Sequence, residues 1–326
     1  MTRIGVRVES WPAKRPFRIT GREFLAFDVI VVEIERGGAI GRGEGMPVFY
    51  LGESCDSLVA QVEGIAGELE RGASRERLQS LLPPGAARNA VDCALWDLEA
   101  KARGAGVWHA AGVTPRTLRT VYTIGLEPTP EAMAAHAAEA RSQPLLKVKL
   151  DGDRPLERLG AVRVARPDAR IVVDANQGWT FRQLEQLAPE FARLGVEMLE
   201  QPLPRGGDDA LDGYRGPVPL AADESCQHLG ELDAVASRYS VVNVKLDKTG
   251  GLTHGLSLAR AARSRGLGVM VGCMGGTSLA MAPAFVLGCL ADIVDIDGPL
   301  LLRRDRLPGL EYRSGEVAPF GPRVWG

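Results

Sequence analysis

Lys149, Asp174, Glu200, Asp223 and Lys245 recur 22 to 26 residues apart along the second half of a 326-residue chain. That interval holds one strand, one helix and two loops, so the five side chains mark the same point in successive strand–helix units. Asp174, Glu200 and Asp223 form a hard oxygen donor set suited to a divalent cation, and no His or Cys joins them in phase, which disfavours zinc and soft metals. The expected ion is Mg2+. Lys147 and Lys149, two apart, share one face of a strand, and Lys245 looks back from the other side. A lysine acts as a base only when neutral, and burial beside a cation and another lysine lowers its pKa. A metal that holds a carboxylate stabilises the enediolate left when an α-proton departs. Bases on both faces of that plane let the proton leave one side and return on the other, so the set predicts racemisation or epimerisation. A single charged strand end is ordinarily where the chain meets water. Five in phase, with three lysines around three acids, exceed what structural ion pairs require.

The elements that must position them are legible too. Leu145–Lys149, Ile171–Asp174, Val196–Glu200, Pro219–Asp223 and Val241–Lys245 are short apolar runs that read as buried parallel strands. Ala/Leu/Arg/Glu-rich stretches with helical periodicity, such as 154–166 and 181–194, separate them. With strand one at Leu118–Ile124, strand seven at Gly268–Gly272 and strand eight at Asp292–Ile296, the expected fold is α/β, a (β/α)8-type TIM barrel with charges at the carboxyl ends of its strands. Residues 1–112 read as a separate α+β capping domain, with strands at Arg3–Glu9 and Phe27–Glu35, a turn through Gly37–Gly38 and helices at 57–71 and 86–102. The barrel is assigned to 113–300, and 301–326 to a C-terminal segment packing back on the cap.

Composition narrows the function classes. A formal net charge of −2 offers no basic field for nucleic acid or anionic lipid. Five scattered cysteines without a Cys-x-x-Cys pair indicate reduced thiols and a cytoplasmic location. The uncharged run 266–291 is long enough to span a bilayer, but Gly272, Gly275–Gly276 and Pro283 interrupt it where strand and helix seven belong, so it reads as barrel core. His109, His136, His228 and His254 are out of phase with the strand ends and read as ordinary surface or helix positions.

The motifs Lys147-Val148-Lys149, Asp174-Ala175-Asn176, Glu200-Gln201-Pro202, Asp223-Glu224-Ser225 and Lys245-Leu246-Asp247-Lys248-Thr249-Gly250-Gly251 together resemble the enolase superfamily, muconate-lactonising subgroup. The resemblance extends through the helix Gly85–Leu98. It implies Lys149 and Lys245 as acid/base catalysts, Lys147 as partner of the substrate carboxylate, and Asn176 as support for the metal ligands. Asp295-Ile296-Asp297 resembles the Asp-x-Asp motif by which dipeptide epimerases hold a free ammonium group, and two buried acids need a cation. Thr123 matches a position lining the same pocket. The implied activity is 1,1-proton transfer at the C-terminal residue of a small-molecule dipeptide. Sibling activities of the subgroup (o-succinylbenzoate synthase, cycloisomerase, N-acylamino acid racemase) and a non-catalytic dipeptide-binding protein are the alternatives, and self-association into a homo-oligomer is compatible with either. The L-Ala-D/L-Glu epimerase branch commonly carries an arginine where this chain has Phe24, and an Arg-Tyr-Gly-Glu loop where it has Phe49-Tyr50-Leu51-Gly52-Glu53. Phe24, Tyr50 and Leu51 are therefore expected to contact an apolar C-terminal side chain, with Arg18 and Arg22 the remaining candidates for a glutamate carboxylate.

Overall fold

A computed structural model describes residues 2–326. The N-terminal part is a three-stranded antiparallel sheet of Arg3–Ile19, Arg22–Arg36 and Ala39–Gly45. Gly37 and Gly38 both adopt positive φ between the last two strands, as a tight hairpin demands. The third strand is absent from the sequence reading, because Ala-Ile-Gly-Arg-Gly-Glu-Gly has little β propensity. Packing explains it. A Cβ at Gly41, Gly43 or Gly45 would lie 2.1, 2.0 or 2.4 Å from carbonyl oxygens of the helix Ala86–Arg103, so alternate glycines let that helix lie directly on the strand. The expected helix at 57–71 is two, Cys55–Gly64 and Ala66–Glu70, broken at Ile65.

Eight parallel strands follow: Tyr122–Ile124, Leu145–Lys149, Arg170–Asp174, Val196–Glu200, Leu220–Ala222, Val241–Lys245, Gly268–Gly272 and Ile293–Val294. A parallel bridge between Thr120 and Val294, with the Val121 amide donating to the Val294 carbonyl at 2.8 Å, joins the first strand to the last. Strand one starts later than expected because Leu118–Arg119 instead pairs with Glu316–Val317 of a C-terminal hairpin. Strand eight is shorter because the Asp292 carboxylate accepts the Val269 amide (2.9 Å) at one end and the chain enters the helical turn Gly298–Leu301 at the other. A 3-10 turn, Asp208–Leu211, is the regular element between strands four and five.

The C-terminal segment engages both parts of the molecule. The Trp325 indole donates to the Arg42 carbonyl (3.0 Å) and the Gly326 amide to Asp97 (2.6 Å), both in the cap, whereas the hairpin Tyr312–Val317 docks on the barrel. Run 266–291 forms strand seven and the buried helix Ser278–Gly288, and among the described residues no helix is long and apolar enough to cross a membrane. His136 is a helix position, on Pro130–Glu139, and is buried. It lies against the Tyr122 ring, with Nδ1 3.0 Å from Glu127, and burial pushes its pKa down to about 4.

Candidate active site

Strand alternation builds the site in layers. Leu145, Val172, Met198, Ala221 and Met270 point inward and fill the barrel floor with apolar contacts, while Leu146, Val148 and Leu150 face the surrounding helices. Toward the carboxyl ends of the strands the buried polar side chains are Lys147, Lys149, Asp174, Glu200, Asp223, Asn243 and Lys245. Gly272 pairs in register with Lys245. A Cβ there would approach Lys245 Cε to 3.0 Å and Asn243 Oδ1 to 2.6 Å, so the glycine makes room for the Lys245 chain.

The charged groups interlock. Lys149 Nζ lies 2.6 Å from Asp174 Oδ2, and Lys245 Nζ 2.5 Å from Asp223 Oδ2. Lys147 Nζ sits 3.1 Å from Asp174, 2.8 Å from Glu200 and 2.8 Å from Asp295. Its approach to Glu200 is an ion contact without hydrogen-bond alignment, which leaves Glu200 Oε2 without a hydrogen-bonding partner. Burial opposes ionisation of Asp174, but Lys149 and Lys147 outweigh it and hold the carboxyl below its usual range. The same contest at Asp223 is won by Lys245 and Lys248. Glu200 loses it: burial and the neighbouring Asp174 push it up to about 7. For Lys147 and Lys245, burial is overcome by the surrounding carboxylates, and both are held well above the ordinary lysine value. The sequence reading had their pKa lowered by a cation; the ion pairs formed by the protein alone act in the opposite direction.

The residues fit a hard cation. Glu200 Oε2, Glu224 Oε2 and Asn176 Oδ1 are buried oxygens without hydrogen-bond partners, and such atoms are costly to leave unsatisfied. Asp174, Glu200, Asp223 and Glu224 are four buried carboxyls in one place. The ammonium groups of Lys147 and Lys245 stand among them, and among the described residues the ligand atoms that lie within 4.8 Å of one another are those of Cys273, Asp295 and Asp297.

Asp295 and Asp297 follow strand eight and face the cavity. Asp295 is already partnered by Lys147, whereas Asp297 accepts the Thr123 amide at 2.6 Å and has no ion pair among the described residues. Burial and the Asp295 charge raise it to about 7, so Asp297 is the acid of the pair that lacks a cation. Asn176 supports Asp174 through its backbone, its amide donating to Oδ1 at 2.8 Å, while its side chain lines the cavity. Asn176, Gln177 and Gln201 all adopt positive φ (43°, 65° and 34°), uncommon for these residues and concentrated after strands three and four.

The cavity lies between barrel and cap. Lys149 and Lys245 both line it, from strands two and six. Its cap side is aromatic: Phe24 stacks on Phe27 (centroids 5.8 Å, planes 9° apart), Phe17 tilts against both, and Phe49 meets Tyr50 edge-on. Thr123, Phe24 and Tyr50 line the cavity as expected. Leu51 does not. It ends the 3-10 turn Phe49–Leu51 and is 37% exposed, and Phe49 takes its place in the wall. Neither arginine reaches the cavity lining: Arg18 pairs with Glu23 at 2.6 Å, and Arg22 covers the outer face of the Phe49 ring at 4.2 Å.

Three further side chains take part that the sequence analysis gives no individual role. Lys248, fully buried, donates to both Asp223 Oδ1 (2.7 Å) and the Asp223 carbonyl. Gln201 Oε1 accepts the amides of Asp223 (2.9 Å) and Ser225 (3.1 Å), and Asn243 donates to Glu200 at 2.7 Å. The available signal was spacing, since Lys248 lies three residues beyond Lys245 and one helical turn returns it to the same site.

A capped parallel barrel with opposed amines above clustered carboxylates defines an enzyme built for proton transfer. Residues 1–112 match the mandelate racemase/muconate lactonizing enzyme N-terminal domain, and residues 132–317 the enolase C-terminal domain-like family. The chain is 44% identical to the L-Ala-D/L-Glu epimerase of Escherichia coli (strain K12), over 97% of this chain and 99% of that protein. Among solved structures, an enolase family member from Agrobacterium tumefaciens, described as homologous to dipeptide epimerases and carrying sodium and L-Ala-L-Glu, is 42% identical with a TM-score of 0.97 and complete coverage of both chains. The dipeptide epimerase of Methylococcus capsulatus, complexed with Mg and L-Arg-D-Lys, is 32% identical with a TM-score of 0.90, covering 99% of this chain and 98% of that one. The protein belongs to the mandelate racemase/muconate lactonizing enzyme family of the enolase superfamily.

Proposed function

We propose that this chain is a magnesium-dependent dipeptide epimerase that inverts the α-carbon of a C-terminal residue with an apolar side chain. The observation that carries the reading is that Lys149 and Lys245, from the second and sixth of eight strands, both line one cavity. Asp174, Glu200 and Asp223 would hold the metal. When bound, magnesium supplies positive charge that stabilises the enediolate and offsets the carboxylate field now holding Lys147 and Lys245 protonated. Lys147 orients the substrate carboxylate. Lys149 and Lys245 exchange the α-proton, one on each face, each returning its proton to the opposite side of the plane from which the other removed it. Asp297, with Asp295, receives the N-terminal ammonium group. The five unpaired cysteines support a cytoplasmic location.

Phe24, Phe27, Phe49 and the ring of Tyr50 form the wall for the C-terminal side chain. Burying an apolar side chain there gains roughly 1.5–3 kcal/mol, whereas a γ-carboxylate would be desolvated without an arginine to meet it. Dipeptides such as L-Ala-L-Leu and L-Ala-L-Phe should exceed L-Ala-L-Glu in kcat/KM by roughly ten- to a hundredfold. Phe24→Arg should shift the preference toward glutamate. N-acetyl amino acids, lacking the ammonium group, should be poor substrates. A wide preference of the purified enzyme for L-Ala-L-Glu would reject the apolar wall, and an equal rate on N-acetyl-leucine would reject the role of Asp297.

A further inference from the structure

Arg88 is a buried cation, 2% exposed, whose hydrogen bonds among the described residues go to no carboxylate. Its guanidinium donates to the carbonyls of Gly250 (3.1 Å), Thr249 (2.8 Å) and Leu82 (3.3 Å) and to His254 Nδ1 (2.9 Å). Thr249 and Gly250 end the single helical turn Leu246–Thr249 that begins directly after Lys245. The last carbonyls of a helix lack intrahelical partners, and burial here denies them water. The cap helix supplies donors instead. Two neighbours on that helix complete the grip. Asn89 Nδ2 donates to Asp247 Oδ1 at 2.8 Å, and Asp92 accepts the Thr253 amide (2.9 Å) and hydroxyl (2.7 Å) at the start of the next helix. Gly250 and Gly251, with φ of 78° and 112°, permit this approach: a Cβ on either would come within 2.3 Å of Arg88 Nε or 2.5 Å of Asp92.

The other base is held differently. Lys149 is followed by Leu150, whose amide donates to the Asp174 carbonyl at 3.0 Å, a contact internal to the barrel. Both lysines end barrel strands, Lys149 in register with Asp174 and Lys245 with Gly272, but only Lys245 runs straight into a turn fastened to the cap. We infer that Arg88 and Asn89 are positioning residues that set Lys245, but not Lys149, through the turn Leu246–Gly250. The inference rests on the two-base reading above.

Its test compares α-hydrogen exchange in D2O starting separately from the L,L and L,D isomers of one dipeptide, with magnesium saturating. Lys245→Ala identifies the isomer whose exchange depends on Lys245. Arg88→Lys keeps the charge but loses the planar fork, and should shift the ratio of the two exchange rates in the same sense, by about tenfold, because small displacements of a base are costly. Asn89→Ala, which removes no buried charge, should shift it in the same sense by less. A ratio of rates is insensitive to the fraction of enzyme folded, so a merely structural role would leave it unmoved. If Lys245→Ala biases the isomers while Arg88→Lys and Asn89→Ala both leave the wild-type ratio, the positioning role is wrong and the two-base reading stands. If Lys245→Ala slows both isomers equally, the two-base reading fails and takes the inference with it.

Discussion

Lys149→Ala and Lys245→Ala are each expected to reduce epimerisation by about 10²–10⁴-fold, the usual contribution of a positioned acid or base. The two losses should not be alike. Each variant keeps one amine on one face, so it should still wash the α-proton out of one diastereomer into D2O, with opposite preference in the two variants. Both amines are now in ion pairs, Lys149 with Asp174 and Lys245 with Asp223, and removing either leaves a buried carboxylate with one cation fewer. Some stability should be lost as well. Retention of stereochemically opposite exchange distinguishes a missing base from a damaged fold. Parent rates in both variants would end the two-base account.

Asp223→Asn is expected to cost about three decades of turnover, in line with the several kcal/mol that a bound cation contributes to transition-state charge. Asp223 is fully buried: its carboxylate accepts from Lys245 and Lys248, its carbonyl accepts from Lys248, and its amide donates to Gln201 Oε1. Asparagine preserves shape while removing the charge, so calorimetric titration should show weaker magnesium binding while circular dichroism retains the barrel signature. Full activity of Asp223→Asn in the presence of chelator would remove magnesium from the account.

The regularly spaced charged residues were legible because parallel strands are short, apolar and evenly spaced, and because period-two alternation dictates which side chains face inward. Lys147, Lys149 and Lys245 converge on Asp174, Glu200 and Asp223 for that reason. What the local pattern could not carry is the docking of cap on barrel. Leu51 and Phe49 are two residues apart in one 3-10 turn, and only the packing of that turn decides that Phe49 faces the cavity. The strand Ala39–Gly45 exists because a helix lies against its glycines, a contact between segments some fifty residues apart in sequence. The pairing of Lys147 with Asp295, which leaves Asp297 as the acid without a cation, joins strand two to the residues after strand eight and has no local signature.

The central claim is most directly tested by incubating L-Ala-L-Phe with enzyme and magnesium in D2O and following both α-protons by NMR. The account predicts that the C-terminal α-proton is lost to deuterium as L-Ala-D-Phe appears, that the alanine α-proton persists, and that chelator stops both changes. Absence of exchange across a library of dipeptides, or exchange confined to the N-terminal residue, would contradict it.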